Sequence, residues 1–252
     1  MKNKLEQKYV NCKCNLKINC KQDILVKIMY HQKNIQLVND WGNFMKYFML
    51  VNDSANSPIY LDGVLHESYT DEKYDEGMSY NWNRPFIEQM DFPKELWLIT
   101  RSKVQFDYYE NFFGHVISEK FLSSMDQVNI LQDYGIANLH VVSTKGKPKV
   151  KDLFFFIKCI KRHSLVDYDK SEYLTREVPS NAKLKVGGSF VDKYIKLVIK
   201  DTDLDLFQLS DLKLGRYLFC SERFKSLCEK DNLKGIQFMD LDSVPNYLQS
   251  IL

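Results

Sequence analysis

The stretch Leu204–Asp242 reads LDLFQLSDLKLGRYLFCSERFKSLCEKDNLKGIQFMDLD, and it contains a complete strand–helix–strand pattern. Its apolar run Tyr217–Cys220 predicts a buried strand. Ser221 follows directly, and a serine can cap the unpaired amides at a helix start. Glu222 then places a carboxylate in the first turn, where the helix dipole favours it. The stretch therefore predicts a buried strand that leads straight into a capped helix.

The helix of this pattern is amphipathic and has a defined end. Phe224, Leu227 and Cys228 recur at helical spacing, which gives the helix one apolar face. The segment Asn232–Gly235 predicts the stop, because glycine tolerates the left-handed geometry that often closes a helix. The apolar residues within Ile236–Leu241 then predict the second strand.

A second copy of the pattern lies earlier in the chain, at His115–Val142. Its segment Val116–Phe121 (VISEKF) matches Phe219–Phe224 (FCSERF) position by position, and Gly135–Ile136 then corresponds to Gly235–Ile236. Two such matches indicate either duplication of a supersecondary unit or convergence on a common β-α-β pattern. The sequence alone leaves both explanations open.

The chain also resembles the bacterial immunity proteins that protect cells against polymorphic toxins, in particular the families numbered eleven and forty-three. Three blocks carry the resemblance: Val116–Phe121, Ser164–Glu172 and the closing block from Leu206 to Phe238. The blocks are spread over about the C-terminal two-thirds of the chain, and they are structural rather than chemical motifs. The resemblance implies a protein that binds a toxin domain, which requires no catalytic residues.

Length and composition predict a folded protein with one large domain or two small ones. Apolar residues make up 44% and charged residues 27% of the 252 residues, as in an ordinary globular chain. The predicted fold class is α+β, with mixed sheets and short helices. We expect an N-terminal lobe at 45–145 and a C-terminal lobe at 150–252, on either side of the basic connector Ser143–Val150, unless the two form one continuous domain.

Residues 1–44 differ from the remainder of the chain. They contain eight lysines, three acids and half of the six cysteines, without clear hydrophobic periodicity. We expect a poorly structured or non-native extension, with Met45 as the biological start, because Met45–Leu50 resembles the first strand of these families. The cysteines of this segment have only His31 as an evident fourth ligand, so they do not predict a closed zinc site.

Charge is distributed unevenly along the chain. Residues 1–44 carry +5, so the overall net charge of +2 leaves −3 for residues 45–252. A mildly acidic body argues against a nucleic-acid binder, whose affinity rests on Lys and Arg at phosphates. No apolar run approaches the roughly 20 residues of a membrane-spanning helix, and the N-terminus lacks a signal-peptide pattern. We therefore expect a cytoplasmic protein that binds neither nucleic acid nor membrane.

The segment His66–Arg84, HESYTDEKYDEGMSYNWNR, is the predicted partner-binding surface. It interleaves acids, which steer a basic partner, with large aromatics, which supply contact area at low entropy cost. The alternative is a solvated loop whose aromatics pack on the core. The predicted contact residues are Asp71, Glu72, Tyr74, Asp75, Glu76, Tyr80 and Trp82.

The sequence predicts no reaction class. No nucleophile elbow, P-loop or glycine-rich dinucleotide motif organises its serines, histidines and acids. His115 and His140 flank the first unit, and their convergence with Glu119 would favour a ligand site. The Asp167–Ser171 segment offers fewer than the six to eight oxygens of a calcium site, so it predicts a structural turn. We predict no catalytic residue, cofactor or metal.

The leading hypothesis is a cytoplasmic immunity protein that binds the toxic domain of a cognate polymorphic toxin and blocks it. The first alternative is a small-ligand-binding or enzymatic α+β protein with its site between the two lobes. The second alternative is an interaction module without a toxin partner. A buried pocket lined by His115, His140 and the acids of either unit would favour the first alternative. An immunity gene is expected directly beside the coding region of its toxin.

Overall fold

The computed structural model describes residues 45–69, 80–83, 92–176 and 190–251. These residues form mixed β-sheets with three short α-helices, which confirms the predicted α+β class. The predicted N-terminal extension, residues 1–44, lies outside the described residues.

The strands, numbered along the chain, are β1 (Tyr47–Asn52), β2 (Gly63–His66), β3 (Glu95–Thr100), β4 (Tyr108–Asn111), β5 (Gly114–Ser118), β6 (Tyr134–Val142), β7 (Phe154–Cys159), β8 (Glu172–Arg176), β9 (Phe190–Lys196), β10 (Leu206–Gln208), β11 (Leu218–Ser221) and β12 (Ile236–Asp240). The helices are α1 (Glu119–Gln127), α2 (Glu222–Lys230) and α3 (Val244–Ser250). Short 3₁₀ turns lie at Asn81–Asn83, Leu131–Asp133 and Leu241–Ser243.

Three sheets organise the strands. A six-stranded sheet has the order β2-β3-β6-β7-β5-β4, with β3 and β6 parallel and every other pair antiparallel. A four-stranded antiparallel sheet has the order β10-β11-β1-β12. The strands β8 and β9 form a separate antiparallel hairpin. Each of the two larger sheets takes strands from both predicted lobes, 45–145 and 150–252.

The two predicted strand–helix–strand units have the same topology. In the first, β4 pairs with β5, α1 follows, and β7 lies between β5 and β6; in the second, β10 pairs with β11, α2 follows, and β1 lies between β11 and β12. The registers agree, because Ser118 is opposite Phe154 and Ser221 is opposite Tyr47. The inserted strand follows β6 in the first unit, whereas in the second it precedes every other strand of the described chain.

The two helices also begin in the same way. Ser118 and Ser221 are extended N-cap residues whose hydroxyl oxygens accept the backbone N–H groups of Phe121 and Phe224, each at 3.3 Å. This is the capping geometry that the sequence predicts. Each helix therefore starts directly at the end of its strand, with no connecting loop.

The ends of the helices match as well. Asn129 and Asn232 follow α1 and α2 with φ angles of 55° and 52°. An asparagine tolerates this left-handed conformation better than most residues. The stop predicted at Asn232–Gly235 is therefore made by its asparagine, and Gly235, with φ of 83°, turns the chain into β12.

One part of the predicted internal match is wrong. Gly135 is the second residue of β6 and lies opposite Lys158, whereas Gly235 precedes β12. The first residues of these strands, Tyr134 and Ile236, are the ones that correspond in register. The two glycine–isoleucine pairs are thus offset by two residues. Gly135 lies within a strand, whereas Gly235 forms the turn before one.

A shared core joins the two larger sheets. Phe48 and Leu50 of β1 pack in one cluster with Ile157 of β7 and with the inward faces of α1 and α2. The opposite face of β1, including Met49, belongs to a second core beneath α3 and the β8–β9 hairpin. Both faces of β1 are therefore buried, which explains the continuous apolar run in its sequence.

Candidate functional site

Two of the predicted contact residues belong to the described chain, and both pack against the core. Trp82 is 5% exposed, and its indole N–H donates to the Glu67 carboxylate at 2.7 Å. Its ring stacks on Tyr80 with centroids 5.4 Å apart and meets Phe156 edge to face at 5.9 Å. The geometry of these two aromatics matches the alternative of rings packed on the core. The other predicted contacts lie outside the described residues: Asp71, Glu72, Tyr74, Asp75 and Glu76.

The histidines of the hypothetical ligand site are not brought together. His115 is fully buried in β5, with its Nδ1 3.2 Å from the Tyr108 hydroxyl. Burial is the main reason why its pKa falls to about 3, so the ring is neutral near pH 7. His140 lies half-exposed on β6, 3.7 Å from the Glu95 carboxylate. It is four residues beyond Ile136, which is in line with His115 two strands away, so the backbones of the two histidines are about 16 Å apart.

Metal ligation and thiol chemistry find no support in the described part of the chain. No group of three or more His, Cys, Asp or Glu side chains is arranged there to hold a metal ion. Cys159, Cys220 and Cys228 are unpaired and buried, and burial raises the pKa of both Cys159 and Cys228 to about 12. These thiols are core residues rather than nucleophiles. The residues considered for zinc lie outside the described segments: Cys12, Cys14, Cys20 and His31.

The Asp167–Ser171 segment forms a structural turn, which confirms the prediction for it. The Asp167 carboxylate accepts the backbone N–H of Lys170 at 3.3 Å, and the Ser171 hydroxyl oxygen accepts that of Val198 at 2.9 Å. One Asp167 oxygen and the Ser171 hydroxyl are therefore occupied by backbone amides, and the other Asp167 oxygen pairs with the Lys170 ammonium at 3.1 Å.

A groove of about 950 Å³ opens beside the start of α1. Its walls come from the segments 55–58, 102–107, 118–120 and 149–152, together with Phe154 and Lys234. Phe106 and Phe154 are buried and form an apolar part of the lining. The groove lies between the first unit and Lys234 of the second, where the ligand-binding alternative places its site, although neither His115 nor His140 lines it.

Lysines outnumber acids in this groove, which we call the lysine groove. It is lined by five lysines and three carboxylates, whereas residues 45–252 as a whole carry a net −3. The groove is thus a basic site in an acidic body. The lysines are Lys103, Lys120, Lys149, Lys151 and Lys234, and the acids are Asp107, Glu119 and Asp152.

One of the three acids is fully engaged within the protein. The Asp107 Oδ1 accepts the Ser118 hydroxyl at 2.7 Å, and its Oδ2 accepts the backbone N–H of Lys234 at 2.8 Å. The backbone N–H of Asp107 donates in turn to the Lys234 carbonyl at 2.8 Å. Asp107 therefore orients the helix cap and fixes Lys234 at the groove, and none of its carboxylate oxygens pairs with a lysine side chain of the lining.

The second unit provides an internal comparison for this electrostatic arrangement. Its Asp205 accepts the Ser221 hydroxyl at 2.6 Å, as Asp107 does for Ser118, but its other oxygen pairs with Arg223 at 2.8 Å. Arg223 is the structural equivalent of Lys120. At the same helix start, Lys46 pairs with Asp240 at 2.7 Å. At this helix start, Arg223 and Lys46 are thus each paired with an acid.

Lys120, the equivalent of Arg223, is not neutralised in this way, and Lys46 has Leu153 as its equivalent in the first unit. Four lysines of the groove are exposed and form no ion pair within the described segments: Lys103, Lys120, Lys151 and Lys234. Lys149 instead donates through Nζ to the carbonyls of Thr100 at 3.2 Å and Arg101 at 2.8 Å. Four lysine ammonium groups therefore face solvent at the groove.

Exposed apolar side chains adjoin the same segments. Ile59 is 93% exposed and Tyr60 73% exposed, directly after the lining residues 55–58. Leu153, between two lining residues, is 59% exposed. These side chains thus form an exposed apolar border beside the charged lining of the groove.

Sequence reasoning missed this groove because its cations are scattered. The five lysines come from four separate segments, so no local charge run marks them. The one available signal was the basic connector Ser143–Val150, which continues through Lys149 into Lys151 and which we interpreted as a linker. Only the fold brings these positions next to Lys120 and Lys234.

Two sheets joined by one core, with equivalent helices and an open charged groove, define an α+β protein with a rigid surface. Comparison with protein-family models places it in the class of immunity proteins. The model described as immunity protein 43 matches residues 49–250. This is more than half of the chain, so the protein belongs to the immunity protein 43 family, which confirms the predicted resemblance. A search among curated proteins gave no match. In the portion of the chain covered by the structure, no helix has the length and apolar character needed to cross a bilayer.

Proposed function

We propose that this member of the immunity protein 43 family neutralises a cognate polymorphic toxin in the cytoplasm by binding its toxic domain and covering the surface that the toxin uses. The observation that carries the proposal is the family match over residues 49–250. The protein acts by covering the toxin and catalyses no reaction. Its partner is therefore a protein domain rather than a substrate or cofactor.

The fold supports this function because it is a rigid support for a binding surface. The core that joins the two sheets includes Phe121 and Phe224, which are fully buried. Interiors packed in this way are close to solid in density and hold their surface residues in fixed positions. A preorganised surface loses little entropy on binding, which favours high affinity for a single partner.

The acidic segment predicted from the sequence remains part of the proposal. Its acids would suit a basic toxin such as a nuclease, by covering the surface that meets phosphates. We expect reversal of the four acids to lysine to weaken protection against such a toxin. The variant carries D71K, E72K, D75K and E76K, and a matched control carries the same charge change at four exposed acids elsewhere: Asp192, Asp201, Asp203 and Asp242.

Co-expression tests the function itself. We expect the toxin to be the C-terminal domain of a large secreted protein encoded beside this gene, and it is produced in a host that it kills. We expect the full immunity chain to restore growth and to co-elute with the toxin domain as a stable complex. Growth arrest in the presence of well-expressed, folded protein, together with separate elution of the two chains, would overturn the proposal.

A further inference from the structure

We propose that the lysine groove receives an acidic segment of the toxin domain, with Lys103, Lys120, Lys151 and Lys234 pairing with its carboxylates. This inference rests on the proposed function, and it names the surface and the chemistry through which the partner is recognised. It concerns a site other than the acidic segment 66–84, so each surface is tested by its own variant.

The first argument is the contrast between the two structurally equivalent units. In the second unit, Asp205 holds Arg223 and Asp240 holds Lys46, so the cations at that helix start are satisfied internally. In the first unit, the equivalent acid Asp107 binds an amide and a hydroxyl instead. The same scaffold can therefore neutralise a cation at the position of Lys120, and in the groove it does not. Unpaired cations on a preorganised surface are available to an external anion.

The second argument concerns the shape of the occupant. The groove has an apolar lining from Phe106 and Phe154, with Ile59 and Leu153 exposed beside it. An extended peptide can place apolar side chains on such a surface while its acids reach the lysines at the rim. Interfaces with an apolar centre and a charged periphery have this composition.

The third argument separates a peptide from a nucleic acid. The groove carries carboxylates of its own, Glu119 and Asp152, beside the lysines. Double-stranded DNA carries one charge for about every 1.7 Å of axis, so a polyanion of this kind would meet these acids and the net −3 of the surrounding body. A peptide with spaced acids avoids them and pairs its own donors with Glu119 and Asp152. The charge pattern therefore favours a protein segment.

A charge-reversal variant of the full chain tests the groove. The variant K120E/K151E changes two exposed lysines, and Lys120 lies in the first turn of α1, where an acid is favoured by the helix dipole. We therefore expect it to fold normally, as checked by circular dichroism and thermal unfolding. The matched control K94E/K145E reverses two exposed lysines that lie outside helices and strands and do not line the groove.

Affinity for the toxin domain is the first readout. We expect K120E/K151E to raise the Kd at least about tenfold at low salt, mainly through slower association, and the loss to shrink as salt is raised. The control should bind like the unmodified chain. If the unmodified chain binds and protects while K120E/K151E binds equally well, the groove proposal is overturned and the proposed function stands. If the unmodified chain neither binds nor protects, both are overturned.

Zero-length cross-linking with a carbodiimide, which joins lysine amines to carboxylates, is the second readout. In the complex we expect cross-links from the groove lysines to Asp or Glu residues of the toxin domain. Cross-links confined to other lysines would overturn the proposal. A labelled hexapeptide in which glutamate alternates with serine and a labelled hexanucleotide provide the chemical comparison in the absence of toxin. Tighter binding of the oligonucleotide, lost in K120E/K151E, would assign the groove to nucleic acid and overturn the peptide assignment.

Discussion

The rings of Phe121 and Phe224 meet edge to face, with centroids 5.7 Å apart and planes inclined by 74°. Each ring is fully buried, and each belongs to the third residue of its helix, whose backbone N–H binds the cap serine. The contact therefore joins equivalent positions of two equivalent units. It lies in the core that both sheets share, so it couples the two halves of the fold.

Removal of either ring should destabilise the whole protein. We expect F121A and F224A each to lower the free energy of unfolding by about 3–5 kcal/mol, because a buried phenylalanine leaves a cavity as well as losing its transfer energy. The double variant should lose less than the sum, by about 0.5–1.5 kcal/mol, since the edge-to-face contact is lost only once. Urea unfolding of the full chain measures all three values. Strict additivity would show that the two units are not coupled through these rings.

The local elements of this fold are the ones that sequence can predict. Ser221 and Glu222 predict the start of α2, and that helix begins at Glu222 in the structure. The information needed for a capped helix is contained within a few residues, since the cap, the dipole and the apolar face all act locally. The same holds for the matching start of α1 after Ser118.

The pairing of β1 is not predictable in the same way. Its apolar run indicates a buried strand, but nothing in Tyr47–Asn52 specifies that β1 lies between β11 and β12, which begin about 170 and about 190 residues later. The lysine groove cannot be predicted from the sequence for the same reason, because Lys120 and Lys234 line one groove only through this long-range packing. Non-local contacts determine both the topology and the candidate site.

The paired serine caps give a second test of equivalence between the units. We expect S118A and S221A each to cost about 1–2 kcal/mol of unfolding free energy, since each removes a cap and leaves an aspartate oxygen without its hydroxyl donor. The exposed helix positions Ser123 and Ser226 provide matched controls, where alanine should change stability by less than about 0.5 kcal/mol. Chemical denaturation compares the four variants. Equal effects at cap and control positions would contradict the capping role.

The hairpin between β4 and β5 has a strained backbone at two phenylalanines, one of which is exposed to solvent. Its two loop residues, Phe112 and Phe113, have φ angles of 57° and 59°, although bulky residues are unfavourable in this region. Phe113 is also 61% exposed, so its ring contributes little to the core. We expect F113G to stabilise the protein by about 1 kcal/mol, because glycine adopts positive φ without the steric cost.

The variant F113A separates strain from the loss of the ring. Alanine removes the aromatic group but retains Cβ, so it should keep the strain and give no gain in the midpoint of thermal unfolding. Equal melting temperatures for F113A and F113G would attribute any change to the ring and contradict the strain interpretation. A gain confined to the glycine variant supports it.

Buried His115 makes the free energy of unfolding depend on pH and lowers it in acid. Its folded-state pKa of about 3 lies well below the unfolded value of about 6.5, chiefly because of burial and secondarily because of the nearby charges of Arg216 and Lys158. The unfolded chain therefore binds the proton first. Stability from this group is fully present above about pH 6.5 and is lost as the pH falls toward 3, at up to about 1.4 kcal/mol per pH unit.

The window from pH 7 to pH 5 isolates this effect from most carboxylate titration. We expect His115 to account for a loss of about 2 kcal/mol in unfolding free energy across it, and H115Q to lack that loss because glutamine does not titrate. The matched variant H140Q changes a half-exposed histidine beside Glu95 and should retain the loss. Urea unfolding at the two pH values measures each difference. If H115Q loses as much stability as the unmodified chain, the buried imidazole is not what makes the fold sensitive to acid, since a neutral side chain in its place would have removed the preference of the unfolded state for the proton.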